Sequence, residues 1–172
     1  MFVKTCPDFW IPKMYMPIRV FLAGGISNCP NWQADAIQMA KVMPDNVMLY
    51  NPKRPDFDIT DPSATVNQIQ WEHHALTYAT AVLFWFPEET LCPITLFELG
   101  KLAGKKPLFV GTHPNYARRL DVIEQLKYID STIIVRDNLE DVVNDVVEWA
   151  KTVDTAAQHM IDINNVLKGT TL

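Results

Sequence analysis

The chain has 172 residues, 48% of them hydrophobic and 20% charged, which suits a globular domain long enough to bury a core. A formal net charge of -5 excludes a broadly basic nucleic-acid surface, and three scattered cysteines (Cys6, Cys29, Cys92) with no C-x-x-C pair exclude a disulfide framework or a cysteine zinc site. No apolar run reaches the length of a membrane span and the first residues lack the apolar stretch of a signal peptide, so a cytoplasmic protein without a membrane partner is expected.

Residues 1–17 read as an irregular arm rich in proline and aromatics (Phe9, Trp10, Tyr15). Ile18 to Ala23 is a buried strand, and Gly24-Gly25 opens a loop in which small residues let a ligand approach backbone N–H groups. Pro30 or Asn31 starts a helix to about Met43, Val47 to Tyr50 is a second strand, and Asn51 to Pro62 is a long loop holding Arg54 between prolines. Such an arginine is either solvated or held against a ligand. Ser63 is expected to cap a helix to about Tyr78. On it Ile69, Glu72, Leu76 and Ala79 share a face, so Glu72 interrupts an apolar stripe, and a buried carboxylate needs a partner or a function. His73 reads as a core histidine on the same pattern. Trp71, like Trp32, is either core or a platform for a flat base.

The apolar strand Ala81 to Phe86 ends at Pro87, and the loop Glu88 to Pro93 leads into a helix from Thr95 to Ala103. Glu98 lies near the start of that helix, above a strand's carboxyl end, where ligands bind in open α/β sheets. The positive helix end would favour an ionised, nucleophilic carboxylate there. The same run, Thr95-Leu96-Phe97-Glu98, also fits a capping box, in which Glu98 does no more than satisfy a backbone donor. Further on come a strand (Pro107 to Val110), a helix (Tyr116 to Leu126) and a strand (Thr132 to Val135). Asn138 caps a last helix with helical apolar spacing to Val153, followed by a weakly periodic tail, 154–172.

Strands alternating with helices predict one α/β domain over 18–153: a three-layer sandwich around a five-stranded parallel sheet in flavodoxin-like order. Gly24-Gly25 does not complete G-x-G-x-x-G, and Asn51 stands where a dinucleotide fold places an acid, which argues against a nicotinamide cofactor. No Ser/Thr-rich loop follows the first strand, which argues against a flavin.

Phe21-Leu22-Ala23-Gly24-Gly25, Asn51-Pro52-Lys53-Arg54, Gln70-Trp71-Glu72 and Leu96-Phe97-Glu98-Leu99-Gly100-Lys101-Leu102-Ala103 occur in an order that resembles the nucleoside 2-deoxyribosyltransferase superfamily, in its nucleoside 2-deoxyribosyltransferase-like branch. The resemblance covers about Ile18 to Gln125. It implies a nucleophilic Glu98 that attacks the anomeric carbon of a 2′-deoxynucleoside, retention of configuration through two displacements, no metal or organic cofactor, and a homo-oligomer. It further implies a substrate pocket drawing on Gly24, Gly25, Ser27, Asn51, Arg54, Trp71 and Glu89. Thr80-Ala81 and Cys92 stand where such enzymes often carry acids, so Glu72 is assigned the proton relay. The partners implied are a nucleoside or nucleotide and a free nucleobase. The alternatives are hydrolysis of a nucleoside 5′-monophosphate, with Ser27, Arg54 or Arg118-Arg119 cradling phosphate, and a non-catalytic nucleotide-binding module.

Overall fold

The computed structural model describes residues 1–8, 18–55, 57–58 and 60–169. Its strands are β1 (Phe2–Thr5), β2 (Ile18–Gly24), β3 (Val47–Asn51), β4 (Ala81–Phe86), β5 (Leu108–Thr112) and β6 (Val135–Arg136). They form one parallel sheet in the order β1-β3-β2-β4-β5-β6. The five expected strands keep the flavodoxin-like order. The sheet has six strands rather than five, because Phe2–Thr5 pairs with β3 from Phe2 opposite Met48 to Thr5 opposite Asn51. That edge strand is short and its side chains are exposed or half-buried, so it carries no apolar run to betray it. Residues 9–17, with Phe9, Trp10 and Tyr15, lie outside the described residues.

Period-two alternation sends neighbouring side chains to opposite faces. On β4, Val82, Phe84 and Phe86 enter one core cluster and Ala81, Leu83 and Trp85 the other. The first cluster is closed by α2 (Pro62–Tyr78), α3 (Pro93–Leu102) and α4 (Arg119–Ile129). The second is closed by α1 (Trp32–Met39) and α5 (Leu139–Gly169). A central strand apolar on both faces is what a doubly covered parallel sheet requires.

The helix starts have local causes. The Asn31 side chain accepts from the Ala34 N–H and opens α1. Asp61, not Ser63, caps α2: its carboxylate accepts from the Ser63 N–H at 2.8 Å, and Pro62 takes the first helical position, where a missing N–H costs nothing. The Asn138 side chain accepts from the Asp141 N–H at 2.8 Å and opens α5, which runs past Val153 to Gly169. Asp130 ties Thr132 into a turn through both its N–H and its hydroxyl, which delays the last strand to Val135.

The topology fixes where a ligand can sit. β2 leads outward to β3 on one side and β4 leads to β5 on the other, so the chain's direction across the sheet reverses between β2 and β4. The crevice outside their carboxyl ends is the binding position of such sheets.

Candidate active site

At that crevice the Gly24 backbone lies so close to β4 that a Cβ there would sit 2.4 Å from the Trp85 carbonyl oxygen and 2.5 Å from the Trp32 ring. The next carbonyl, of Gly25, accepts from Trp32 Nε1 at 2.9 Å and from Gln33 Nε2 at 3.0 Å, both buried. Two converging donors hold the glycine turn in one conformation. It forms one wall of a cavity of about 570 Å³ closed by α2 and α3. The lining is mainly apolar (Phe21, Ile26, Phe57, Ile69, Ile94, Phe97), with Glu72, Glu98, Gln68, His73 and Lys101 as polar groups. A mostly apolar pocket with a few convergent polar groups is the usual form of a small-molecule site.

The helix carrying Glu98 begins earlier than its sequence suggests. Cys92 is the N-cap, in a left-handed conformation (φ 46°), and Pro93 is the first helical residue. Thr95 is therefore inside the helix and buried, not at its cap, which overturns the capping-box reading. Glu98 lies a turn further in, beyond the reach of the helix-end charge. The expectation of a carboxylate kept ionised by the helix start is overturned too. Burial, then the charge of Glu72, push the Glu98 carboxyl up to about 7, against a smaller pull from Lys101. Glu72, on α2 across the cavity, is also pushed up by burial, opposed by a hydrogen bond from Gln68 Nε2 at 2.8 Å. Two carboxyls thus share one apolar cavity, with environments that resist charging both at once.

Cys92 stands beside this pair. Burial, then Cys29, push its thiol up to about 11, with smaller opposing pulls from hydrogen bonds to Thr90 and from the Gly25 backbone. It is a neutral group at neutral pH and no substitute for an acid. Tyr116 Oη donates to the Leu91 carbonyl at 2.8 Å and Asn115 Nδ2 to Glu88 at 2.9 Å, fixing the β4–α3 loop that delivers α3.

Of the other residues expected at the site, Gly24, Gly25 and Ser27 line the cavity with Glu72 and Glu98. Four do not line it. The Asn51 side chain accepts from the Lys53 N–H at 3.0 Å and shapes the loop after β3. Arg54 lies over the ring of Phe57, itself a wall residue, at 5.8 Å from its centroid. Trp71 is in the core beneath, 4% exposed, against Phe21 and Tyr50, and its Nε1 donates to the Asp8 carbonyl. Glu89 is exposed on the loop. His73 is exposed at the cavity rim and not in the core. The buried face of α2 is Gln68, Trp71, Ala75 and Leu76, which turns Ile69 and Glu72 toward the cavity.

Sequence reasoning passed over Gln68 and Lys101. Each lies one helical turn from a carboxyl already singled out, Gln68 four residues before Glu72 and Lys101 three after Glu98, and that spacing was the available signal. Phe57, in a loop without periodicity, gave none. Arg118 and Arg119 pair with Asp121 and Asp137, away from the cavity. A second hollow of about 600 Å³, at the β5–β6 end, has its cations engaged: Arg136 with Asp145, and Lys106 Nζ with the Leu76 and Ala79 carbonyls. Among the described residues no cluster of His, Cys, Asp or Glu could hold a metal ion, and no helix is long and apolar enough to cross a membrane.

Residues 17–116, more than half of the chain, match the family described as nucleoside 2-deoxyribosyltransferase like, and the chain belongs to that family. The match spans every wall of the cavity. It carries the general reaction class, glycosyl transfer at a nucleoside. No curated protein matches the chain.

Proposed function

We propose that this family member moves 2-deoxyribose from one nucleobase to another through a covalent intermediate on Glu98. The observation that carries the reading is the pair Glu98 and Glu72 in one apolar cavity at the carboxyl ends of β2 and β4.

The pair shares one proton, which its surroundings favour on Glu98; the reacting form is the other arrangement, in which Glu98 is ionised and Glu72 holds the proton. The ionised Glu98 attacks C1′ of the 2′-deoxynucleoside, forming a C1′–O ester bond as the C1′–N bond breaks. The electron pair passes to the base, and Glu72 protonates the leaving nitrogen. A second base then attacks C1′ from the face the first one left. The ester bond breaks, Glu98 leaves as carboxylate, and Glu72 takes up the incoming base's proton. Two inversions give retention. Apolar walls limit water's access to the ester, which favours a base as acceptor. In this reading the Gly24-Gly25 turn and Ser27 meet the sugar, and Phe57 and Phe97 offer flat surfaces to a base.

An unphosphorylated nucleoside suits this site better than a 5′-monophosphate. Lys101 is the one cationic residue among the described cavity walls, and two carboxyls face it there. The protein is further proposed to work as a homo-oligomer, since Ile69, Ile94 and Phe97 ring the mouth and are each more than half exposed.

The test is to incubate the protein with a 2′-deoxynucleoside and an isotopically labelled free base, and to follow label into the nucleoside pool. Label incorporation, with kcat/KM for the nucleoside above that for its 5′-monophosphate, is expected. A tenfold or greater preference for the monophosphate, with release of base to water, would replace exchange by nucleotide hydrolysis.

A further inference from the structure

The edge strand β1 adds little to either core, yet it delivers one side chain to the site's supports. The Cys6 N–H donates to the Asn51 carbonyl at 3.1 Å, continuing the pairing of β1 with β3. This places the Cys6 thiol, itself 3% exposed, with Sγ donating to Gln68 Oε1 at 2.9 Å. The amide nitrogen at the other end of Gln68 donates to the Pro52 carbonyl and to Glu72 Oε1, each at 2.8 Å. Gln68 is 4% exposed, so solvent does not compete for its amide.

We propose that Gln68 is a positioning residue for the Glu72 carboxyl, and that the Cys6 thiol, donating to the Gln68 oxygen, helps hold the amide that way round. A proline carbonyl can only accept, and Glu72 Oε1 accepts whether the carboxyl is ionised or holds its proton on Oε2, so both call for the NH2 end of Gln68. The oxygen end is left facing Cys6, whose S–H is a donor. If the amide turned over, its oxygen would meet the Pro52 carbonyl and Glu72 across buried space, and its NH2 would face the sulfur. Three partners therefore agree on one orientation, in which Glu72 receives a hydrogen bond that fixes its rotamer and supports its charged form. The β1 strand, through a single thiol, is thereby tied to the acid–base group of the cavity.

This inference rests on the proposed function for what Glu72 does, but not for how Glu72 is held. It is therefore tested first on the protein without substrate. The Glu72 carboxyl is followed by carboxyl-carbon NMR through a pH titration in the wild type, Gln68→Leu, Cys6→Ala and Cys6→Ser. The variants leave in place the titratable and charged groups that share the cavity with Glu72: Glu98 and Lys101 from α3, and His73 on its own helix. Gln68→Leu is expected to raise the Glu72 midpoint by about one pH unit or more, since it removes a hydrogen bond to the charged form. Cys6→Ala is expected to raise it by less, and Cys6→Ser, which keeps a donor, to leave it near the wild type. In the base-exchange assay, Gln68→Leu is expected to lower kcat roughly tenfold with little change in KM, as loss of a correctly held proton donor should. An unmoved Glu72 midpoint in folded Gln68→Leu would overturn the proposal. So would identical midpoints in Cys6→Ala and Cys6→Ser, a comparison that decides the matter even if Gln68→Leu does not fold. Wild-type protein without base exchange would sink the proposed function and leave the NMR result standing.

Discussion

Replacing Glu98 by glutamine should make the protein inactive and, at alkaline pH, more stable. The folded carboxyl keeps its proton up to about 7, whereas the ordinary value of 4.5 applies to the unfolded chain. Below pH 4.5 both states are protonated, and the group's folded-state advantage is fully present. Between 4.5 and 7 the unfolded chain has released its proton and the folded one has not, so stability falls as pH rises, and above 7 the loss is complete. At about 1.4 kcal/mol per pH unit the interval amounts to about 3 kcal/mol. Part of that belongs to the pair, because Glu72 contributes to the shift. A glutamine of the same shape carries no charge to bury, so Glu98→Gln should match the wild type at pH 4 and exceed it by about 3 kcal/mol at pH 8. Urea unfolding of both proteins from pH 4 to pH 8 measures this directly. A difference that stays flat across that range, or a variant less stable at pH 8, would show that Glu98 is neither buried nor opposed by Glu72 as described.

Gly24→Ala forces a Cβ to within 2.4 Å of the Trp85 carbonyl, a backbone atom that cannot step aside, and should cost about 1–3 kcal/mol in the same unfolding assay. Gly100→Ala is the opposite case: nothing lies within 4 Å of the added methyl inside α3, so it should stabilise by about 0.5–1 kcal/mol and leave base exchange unchanged. Light scattering at micromolar concentration should give a multiple of the protomer mass, and Phe97→Asp should reduce it; a fully active monomer would refute the proposed assembly.

The sheet could be read from the sequence because its central strands are long apolar runs closed by prolines and glycines, as Ala81 to Phe86 is by Pro87. The edge strand could not, since Phe2–Thr5 owes its form to β3 beside it and buries no side chain fully. Glu72 stood out as a charge in an apolar helical stripe, though the stripe that is actually buried is Gln68, Trp71, Ala75 and Leu76. Ile69 and Glu72 turn to the cavity because a second helix, α3, borders it with them. Such packing has no signature in local periodicity. The start of α3 was misplaced because Thr95 and Glu98 imitate a capping box, while the real start needs Cys92 in a left-handed conformation that sequence does not announce. Three residues of offset moved the carboxylate from the expected first turn to a half-buried position further in, and with it reversed the direction of its titration.

The central claim is a covalent bond between Glu98 and C1′ of the sugar. The direct measurement is intact-protein and peptide mass spectrometry after brief incubation with a 2′-deoxynucleoside and acid quenching. The protein should gain the mass of one 2-deoxyribosyl group, on the peptide containing Glu98, and lose it when a free base is added before the quench. Base exchange proceeding with no adduct, or with the adduct on any residue other than Glu98, would contradict the account.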